Sequence, residues 1–210
     1  MSKSKGKFIL IPIIILLVII IGAFSLYKFS FEPKVPVTPI TSEIKVDPLD
    51  IAIKLIPNDL DFSLKEIVTK SNIELSDVDL TNLAILAIQK DSNLSQKIDG
   101  LKVLIDGKYL NLYVQFKYLN IPLEAKLTFT CSSKDGNGIL HYEGGKLGFI
   151  NINKDIIFDN LTSTDSISFD KANSNIILKL KNNYNISVNS FEIVNNNLRI
   201  GVQTVFKLFK

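Results

Sequence analysis

The chain holds one cysteine, one histidine, one methionine and no tryptophan in 210 residues. A single cysteine, Cys131, excludes an intramolecular disulfide and leaves stability to the core; it also stands too late in the chain to be an N-terminal lipidation site. A single histidine, His141, means that any His-based metal site or Ser-His-Asp triad would have to use that residue. By alternation it falls with Ile139 and Glu143, opposite Leu140 and Tyr142, as an ordinary strand histidine does. The serines lie in polar turns, caps and strand faces, and none sits in a G-x-S-x-G elbow. The expectation is a non-enzymatic protein with no catalytic, cofactor-binding or metal-binding residues, because the polar groups for acid–base or nucleophilic work never gather.

Charge is also absent where it matters most. Phe8 to Tyr27, FILIPIIILLVIIIGAFSLY, contains no charged residue. At about 1.5 Å per residue, some twenty apolar residues cross a hydrocarbon layer of about 30 Å. Pro12 falls in the first turns, where a missing donor costs least, and Gly22 is tolerated in membrane helices. Lys3, Lys5 and Lys7 precede the run, which favours a cytoplasmic N-terminus. The competing reading is a cleaved secretory signal with Ala23 near its processing site, but such signals ordinarily have an apolar region of about 7–15 residues. Both readings carry the later residues out of the cytoplasm.

The net charge of +3 belongs to this N-terminal region. Five of the 24 basic residues and two of the 21 acidic ones precede Ile44, so 19 of each remain beyond it. A neutral domain without a basic stripe and interleaved aromatics excludes nucleic acid as an expected partner. The expected organisation is a cytoplasmic stub (1–7), a transmembrane helix (8–27), a proline-containing linker (28–43) and one extracytoplasmic domain (44–210). Pro33, Pro36 and Pro39 favour an extended linker, at about 3.1 Å per residue a stiff stalk of up to about 45 Å. A loop packed on the domain is the alternative.

Within the domain, Ile44 to Ile56 alternates loosely and is interrupted by Pro48. Ser63-Leu-Lys-Glu66 reads as a capping box for a short helix ending near Asn72, with Leu64, Ile67 and Val68 on one face. The device recurs at Ser76-Asp-Val-Asp79, ahead of Leu80, Leu83, Ala84, Ala87 and Ile88 at helical spacing. Asp77, Asp47 and Asp50 read as solvated charges, and Asp79 as the second half of the cap.

From Leu101 the apolar period shortens from about 3.6 to 2. Leu101 to Ile105, Leu110 to Tyr118 and Ile121 to Phe129 alternate around turns at Asp106-Gly107 and Asn120, with Asp135-Gly-Asn-Gly138 turning into Leu140 and Tyr142. That last turn lacks the third ligand and terminal Glu of a calcium loop. Gly144-Gly145 is expected to end the strand, Leu147 and Phe149 to form a short one, and Asn153 to cap a third helix with Ile156, Ile157, Phe158 and Leu161. A Ser/Thr/Asp turn follows, then strands at Ile176–Leu180, Ile186–Val188, Phe191–Ile193 and Leu198–Leu208. The expected class is α+β, with an N-terminal transmembrane helix followed by long curved antiparallel strands, a meander, wrapping short apolar helices.

The order of these elements resembles the YpmS family of Gram-positive membrane-anchored extracytoplasmic proteins. The similarity is carried by Ile105-Asp-Gly-Lys-Tyr-Leu, by Tyr118-Leu-Asn-Ile-Pro-Leu-Glu-Ala-Lys-Leu-Thr-Phe, by Gly144-Gly-Lys-Leu-Gly with the helix near Ile156, and by Ile186-Ser-Val-Asn-Ser-Phe-Glu-Ile-Val-Asn-Asn-Asn-Leu. Asn151 and Asn153 stand where that family places prolines. The plan is also similar to small bacterial relatives of the tubular lipid-binding proteins, whose strands wrap a helix around a lipid groove. The resemblance implies a lipid- or acyl-chain-binding or lipid-sensing domain at the outer membrane surface, lined by Leu112, Val114, Phe116, Leu123, Leu127 and Phe129, with membrane lipid as partner. The alternative is a non-enzymatic scaffold that binds another envelope protein in a cell-wall or sporulation assembly.

Overall fold

The structure, a computed structural model, describes residues 5–44, 59–62, 66–159, 161–180 and 186–207. It is α+β: the described residues form an N-terminal helix, α1 (Lys5–Ser30), two antiparallel sheets, and three shorter helices. Residues 13–30 of α1 are long and apolar enough to cross a membrane. Ile13 to Ile21 are each more than half exposed, and none of residues 13–30 is buried within the fold.

The first sheet takes β1 (Thr38–Pro39), β4 (Ile98–Asp106), β5 (Tyr109–Tyr118), β6 (Ile121–Lys134), β7 (Asn137–Leu147), β8 (Ile150–Ile152), β9 (Ile167–Asp170) and β10 (Asn175–Leu178). Its order is β1-β4-β5-β6-β7-β10-β9, with β8 also paired to β7. The second sheet runs β11-β12-β3-β2, formed by β2 (Asp59–Phe62), β3 (Glu66–Leu75), β11 (Ile186–Val194) and β12 (Asn197–Lys207). The expected meander is present as β4 to β7. Its turns take left-handed backbone at Gly107, at Leu119 and Asn120, and at Asp135 and Gly136. Consecutive positive φ values give a turn the same hand of twist as the strands it joins.

Helix α2 (Asp77–Gln89) starts where the capping box places it: Ser76 Oγ accepts the Asp79 amide at 3.2 Å, and the Asp79 carboxylate accepts the Ser76 amide at 2.9 Å. The inward stripe differs from the one expected. Thr81 and Ile85 are buried, flanked by Leu80, Ala84 and Ile88, while Leu83 and Ala87 are exposed. A polar residue occupies this face because β1 covers only Gly100 and Leu101 of the β4 edge, leaving later amides without strand partners. The Val103 amide donates to Thr81 Oγ1 at 3.0 Å and the Ile105 amide to Asp77 Oδ1 at 2.9 Å. Asp77 is therefore an edge-capping acceptor rather than a solvated charge, since a buried unpaired amide would cost about 1–3 kcal/mol.

The expected short helix ahead of α2 is a strand instead. Glu66 to Leu75 forms β3, paired along its length with β12, and Ser63 lies outside the described residues. Alternation of Ser71, Ile73 and Leu75 toward the core outweighs the capping signal, and β-branched Ile67, Val68 and Thr69 suit the strand. Arg199 of β12 reaches Glu74 of β3 through two nitrogens at 2.9 and 3.1 Å. Gly144 and Gly145 do not end their strand; the ladder with β6 shifts register between Thr128 and Phe129 and continues to Leu147, as a β-bulge allows. Likewise Ile186 to Val194 is one strand, whose bulge between Val188 and Ser190 puts both Val188 and Phe191 inward. The stretch read as a polar turn contains β9, and the expected Ile44–Ile56 strand lies almost wholly outside the described residues.

One core joins these parts. Val103, Leu110, Phe129, Tyr142 and Phe158 cluster on the inner face of the first sheet. Helix α4 (Lys154–Phe158), capped by Asn153 as expected, drives Phe158 between Tyr142 and Phe169 at centroid distances of 6.3 and 6.5 Å. A neighbouring cluster of Leu75, Val188, Phe191 and Leu198 belongs to the second sheet, and Leu80, Cys131, Leu140 and Ile193 touch both clusters. Helix α3 (Ser92–Ser95) is a single capped turn leading into β4.

The Thr81 contact is a test of this edge closure. Thr81→Val keeps the shape and removes the acceptor, so it should lower the unfolding free energy of the full chain in detergent by about 1–3 kcal/mol. Thr81→Ser should recover at least half of that loss. Equal urea midpoints for the valine and wild-type proteins would refute the role assigned to the hydroxyl.

Candidate functional site

The six residues expected to line an acyl site share one face of β5 and β6. Leu112 stands opposite Leu127 and Phe116 opposite Leu123, while Val114 faces Ala125 and Phe129 faces Leu110. Their environments are graded along the strands. Phe129 is 5 % exposed and belongs to the sealed core, Leu112 and Leu127 pack against it, and Val114, Phe116 and Leu123 are half-buried. The face thus runs from the closed interior toward the β5–β6 turn and becomes more accessible as it goes. Tyr118, Leu119 and Ile121 at that turn are 65, 79 and 47 % exposed.

The opposite face of the same strands carries the chain's passage from α1 into the domain. Tyr27 Oη donates to the Pro122 carbonyl at 2.9 Å, and the Phe31 ring meets Phe149 edge-on at 5.1 Å. Glu124 then gathers the next residues: one carboxylate oxygen accepts the Lys34 amide at 3.2 Å, the Val35 amide at 3.0 Å and the Gln115 side-chain amide at 3.0 Å. Gln115 also donates to the Val35 carbonyl at 2.7 Å. Thr38 and Pro39 pair with β4 as β1, an edge position that tolerates a proline, and Ile40 enters the core beside Ile85 and Leu101. Residues 31–40 are therefore a strap across the sheet and not a free-standing stalk.

Two glycines permit this route. A Cβ on Gly100 would come 2.7 Å from the Thr38 carbonyl oxygen, and one on Gly148 would come 2.5 Å from that of Ser30. Gly148 also adopts a φ of +60°, which side chains disfavour. No sequence pattern marked Glu124 and Gln115 as strap-binding, because they read as ordinary alternating polar residues. Gly100 and Gly148 are the sequence positions at which a close backbone approach could have been sought.

Two clefts lie elsewhere. An open cleft of about 590 Å³ is bounded by Tyr109, Lys126, Thr128, Glu143 and the Gly144–Lys146 bulge. Another of about 490 Å³ contains His141, with Lys134, Asp135, Asp170 and Asn173. His141 Nδ1 lies 2.8 Å from Asn175 Oδ1, in a cross-strand pair between β7 and β10. Asp170 is held below the usual carboxylate range, first by the Asn173 side-chain amide at 2.7 Å and then by the Asn173 backbone amide at 3.1 Å. Neither cleft contains any of the six apolar residues. Among the described residues, no three His, Cys, Asp or Glu side chains are grouped to share a metal ion.

Two core groups titrate away from their ordinary ranges. Burial raises the Tyr142 hydroxyl, which donates to the Ile152 carbonyl at 2.8 Å, and pushes the Cys131 thiol up to about 12. A thiol protonated that far above neutrality is a poor nucleophile. Comparison of the chain with family models, curated proteins and solved structures returned no match. The class defined by the structure is an α+β two-sheet domain bearing an N-terminal apolar helix of membrane-spanning length.

Cys131 supplies a measurable consequence. Below about pH 9 the thiol is neutral in both folded and unfolded chains; between about 9 and 12 the unfolded chain releases its proton while the folded one keeps it. Stability should then fall as pH rises through that window, and more steeply than in Cys131→Ala. Parallel slopes for the two proteins between pH 9 and 11 would contradict the burial of the thiol. Native protein should also resist maleimide at pH 7.5 until it is unfolded.

Proposed function

We propose that this is a single-pass protein of the cell membrane, N-terminus cytoplasmic, whose extracytoplasmic domain binds or senses lipid acyl chains at the outer membrane surface. The observation that carries the reading is the graded apolar face of β5 and β6. It leads from Phe129 and Leu127 in the interior, through Val114, Phe116 and Leu123, to a turn beside the apolar helix. An acyl chain is held by shape and burial rather than by polar contacts, and a continuous apolar strip open at one end suits that task.

Three further features support it. Helix α1 is apolar on its free sides, a distribution that belongs in hydrocarbon. The strap ties the domain directly to the end of that helix, holding the strip close to the bilayer rather than a stalk's length away. Lys28 at the helix end pairs with Glu32 at 3.0 Å, a charged boundary suited to a headgroup layer. The YpmS-like order of elements agrees with the same assignment, and no enzymatic step is proposed.

Native mass spectrometry of the full chain extracted in mild detergent should show adducts of lipid mass. Phe116→Ser and Leu123→Ser should each reduce those adducts several-fold, whereas Thr130→Ala on the polar face should not. A lipid-free wild-type protein with its fold retained would overturn the proposal. Recovery of a stoichiometric envelope protein by in-cell crosslinking, without lipid, would point instead to a scaffold.

A further inference from the structure

Among the described residues, two turns beside the end of α1 carry exposed apolar side chains in groups, whereas Val78, Ile156 and Phe206 are exposed elsewhere. The β5–β6 turn presents Tyr118, Leu119 and Ile121, and the β7–β8 turn presents Phe149 and Ile150 at 63 and 48 % exposure. Both turns flank the last turn of α1. Tyr27 is bonded to Pro122, the residue after Ile121, and the Gly148 backbone lies against Ser30 while Phe31 meets Phe149 edge-on.

Direction follows from the strap. As the chain leaves α1, its contacts on β6 move from Pro122, made by Tyr27, to Glu124, made by Lys34 and Val35. Travel away from the helix is therefore travel along β6 away from the β5–β6 turn. The turn, on the far side of Pro122 from Glu124, therefore lies on the helix side of the strap contacts. Tyr27 lies within the 13–30 span, and tyrosine settles at the headgroup boundary, so its bond to Pro122 ties the end of the β5–β6 turn to the residue suited to that boundary.

Leu119 sharpens the point. It holds a left-handed φ of 51°, which leucine disfavours, and is 79 % exposed, so within the protein it gains no packing in return. The polar Asn120 beside it has the composition expected of such a turn; Leu119 does not. An apolar side chain at the tip of a turn has a physical purpose when that tip is in lipid.

We infer that the β5–β6 turn, with Phe149 and Ile150 beside it, is embedded in the interfacial region of the leaflet from which α1 emerges. It forms a second membrane contact that orients the open end of the apolar strip toward the lipids. This inference rests on reading α1 as a membrane span, and its test separates the two.

The full chain carrying Cys131→Ala is reconstituted into phosphatidylethanolamine–phosphatidylglycerol vesicles containing lipid with a shallow or a deep nitroxide. An environment-sensitive fluorophore is attached in turn at Leu119→Cys, at Phe149→Cys, at Asp135→Cys on the far β6–β7 turn, and at Ile19→Cys within α1. The 14 residues of β6 separate the two turns by about 45 Å, so Asp135 reports water. Position 119 should show blue-shifted emission and at least about twofold stronger quenching by the shallow nitroxide than position 135, with 149 alike and 19 quenched by the deep one. Quenching at 19 while 119 and 149 behave like 135 would overturn the inference and leave the anchor intact. No quenching at any position would remove the anchor reading and the inference together. Equal quenching at 119 and 135 would also overturn it, since the domain would then lie flat on the membrane. Circular dichroism of each labelled protein establishes that the fold is kept.

Discussion

Leu110 opposite Phe129 and Leu112 opposite Leu127 make one face of the central meander apolar, and the need to bury that face governs the rest of the domain. A side-chain period of two means that a slip of one residue would turn every one of these groups into water. Helix α2, helix α4 and the second sheet are three separate covers for the same surface. Cys131 and Leu140 contact the clusters on both sides, so the covers share one interior. Where the covers stop, near Val114, Phe116 and Leu123, the face is only half-buried, and there the functional proposal begins.

The other face solves a different problem. Glu124, Gln115 and the β4 edge hold a strap that leads from α1 across the sheet. A flexible or extended linker would leave the orientation of the sheet relative to α1 undefined. Successive contacts at Pro122, Glu124 and Gly100 define it, and they make the two turns beside Tyr27 neighbours of the helix surface. The proposed acyl-chain binding and the inferred seating of the turns both draw on this one geometry, the apolar face of β5 and β6 beside the end of α1.

Polar side chains in this protein mostly complete backbone hydrogen bonding. Thr81 and Asp77 close the β4 edge, Ser76, Asp91 and Asn153 cap helices, and Tyr142 satisfies a carbonyl of β8. Such residues resemble catalytic candidates in a list of hydroxyls and carboxylates. Their partners show that they serve the fold.

Elements specified by nearest neighbours were legible in the sequence by itself. The hairpins of β4 to β7 follow from period-two alternation and turn residues, α2 from its reciprocal cap, and α4 from Asn153, because each signal spans only a few residues. The apolar run of α1 and the neutrality of the later chain also need no coordinates. Tertiary structure alone decided β3, which carries a helix-start signal yet pairs with β12 about as far away as Glu74 is from Arg199, 125 residues on. It decided the strap, since nothing local distinguishes Glu124 from the other alternating acids, and the inward turn of Thr81, since the amide it satisfies belongs to another element. The proposed site is divided in the same way: its six residues are a local alternation, while the gradient from sealed to accessible depends on covers supplied by distant chain. Long-range pairing and burial determine such features, and a local pattern carries no record of the partner that will complete it.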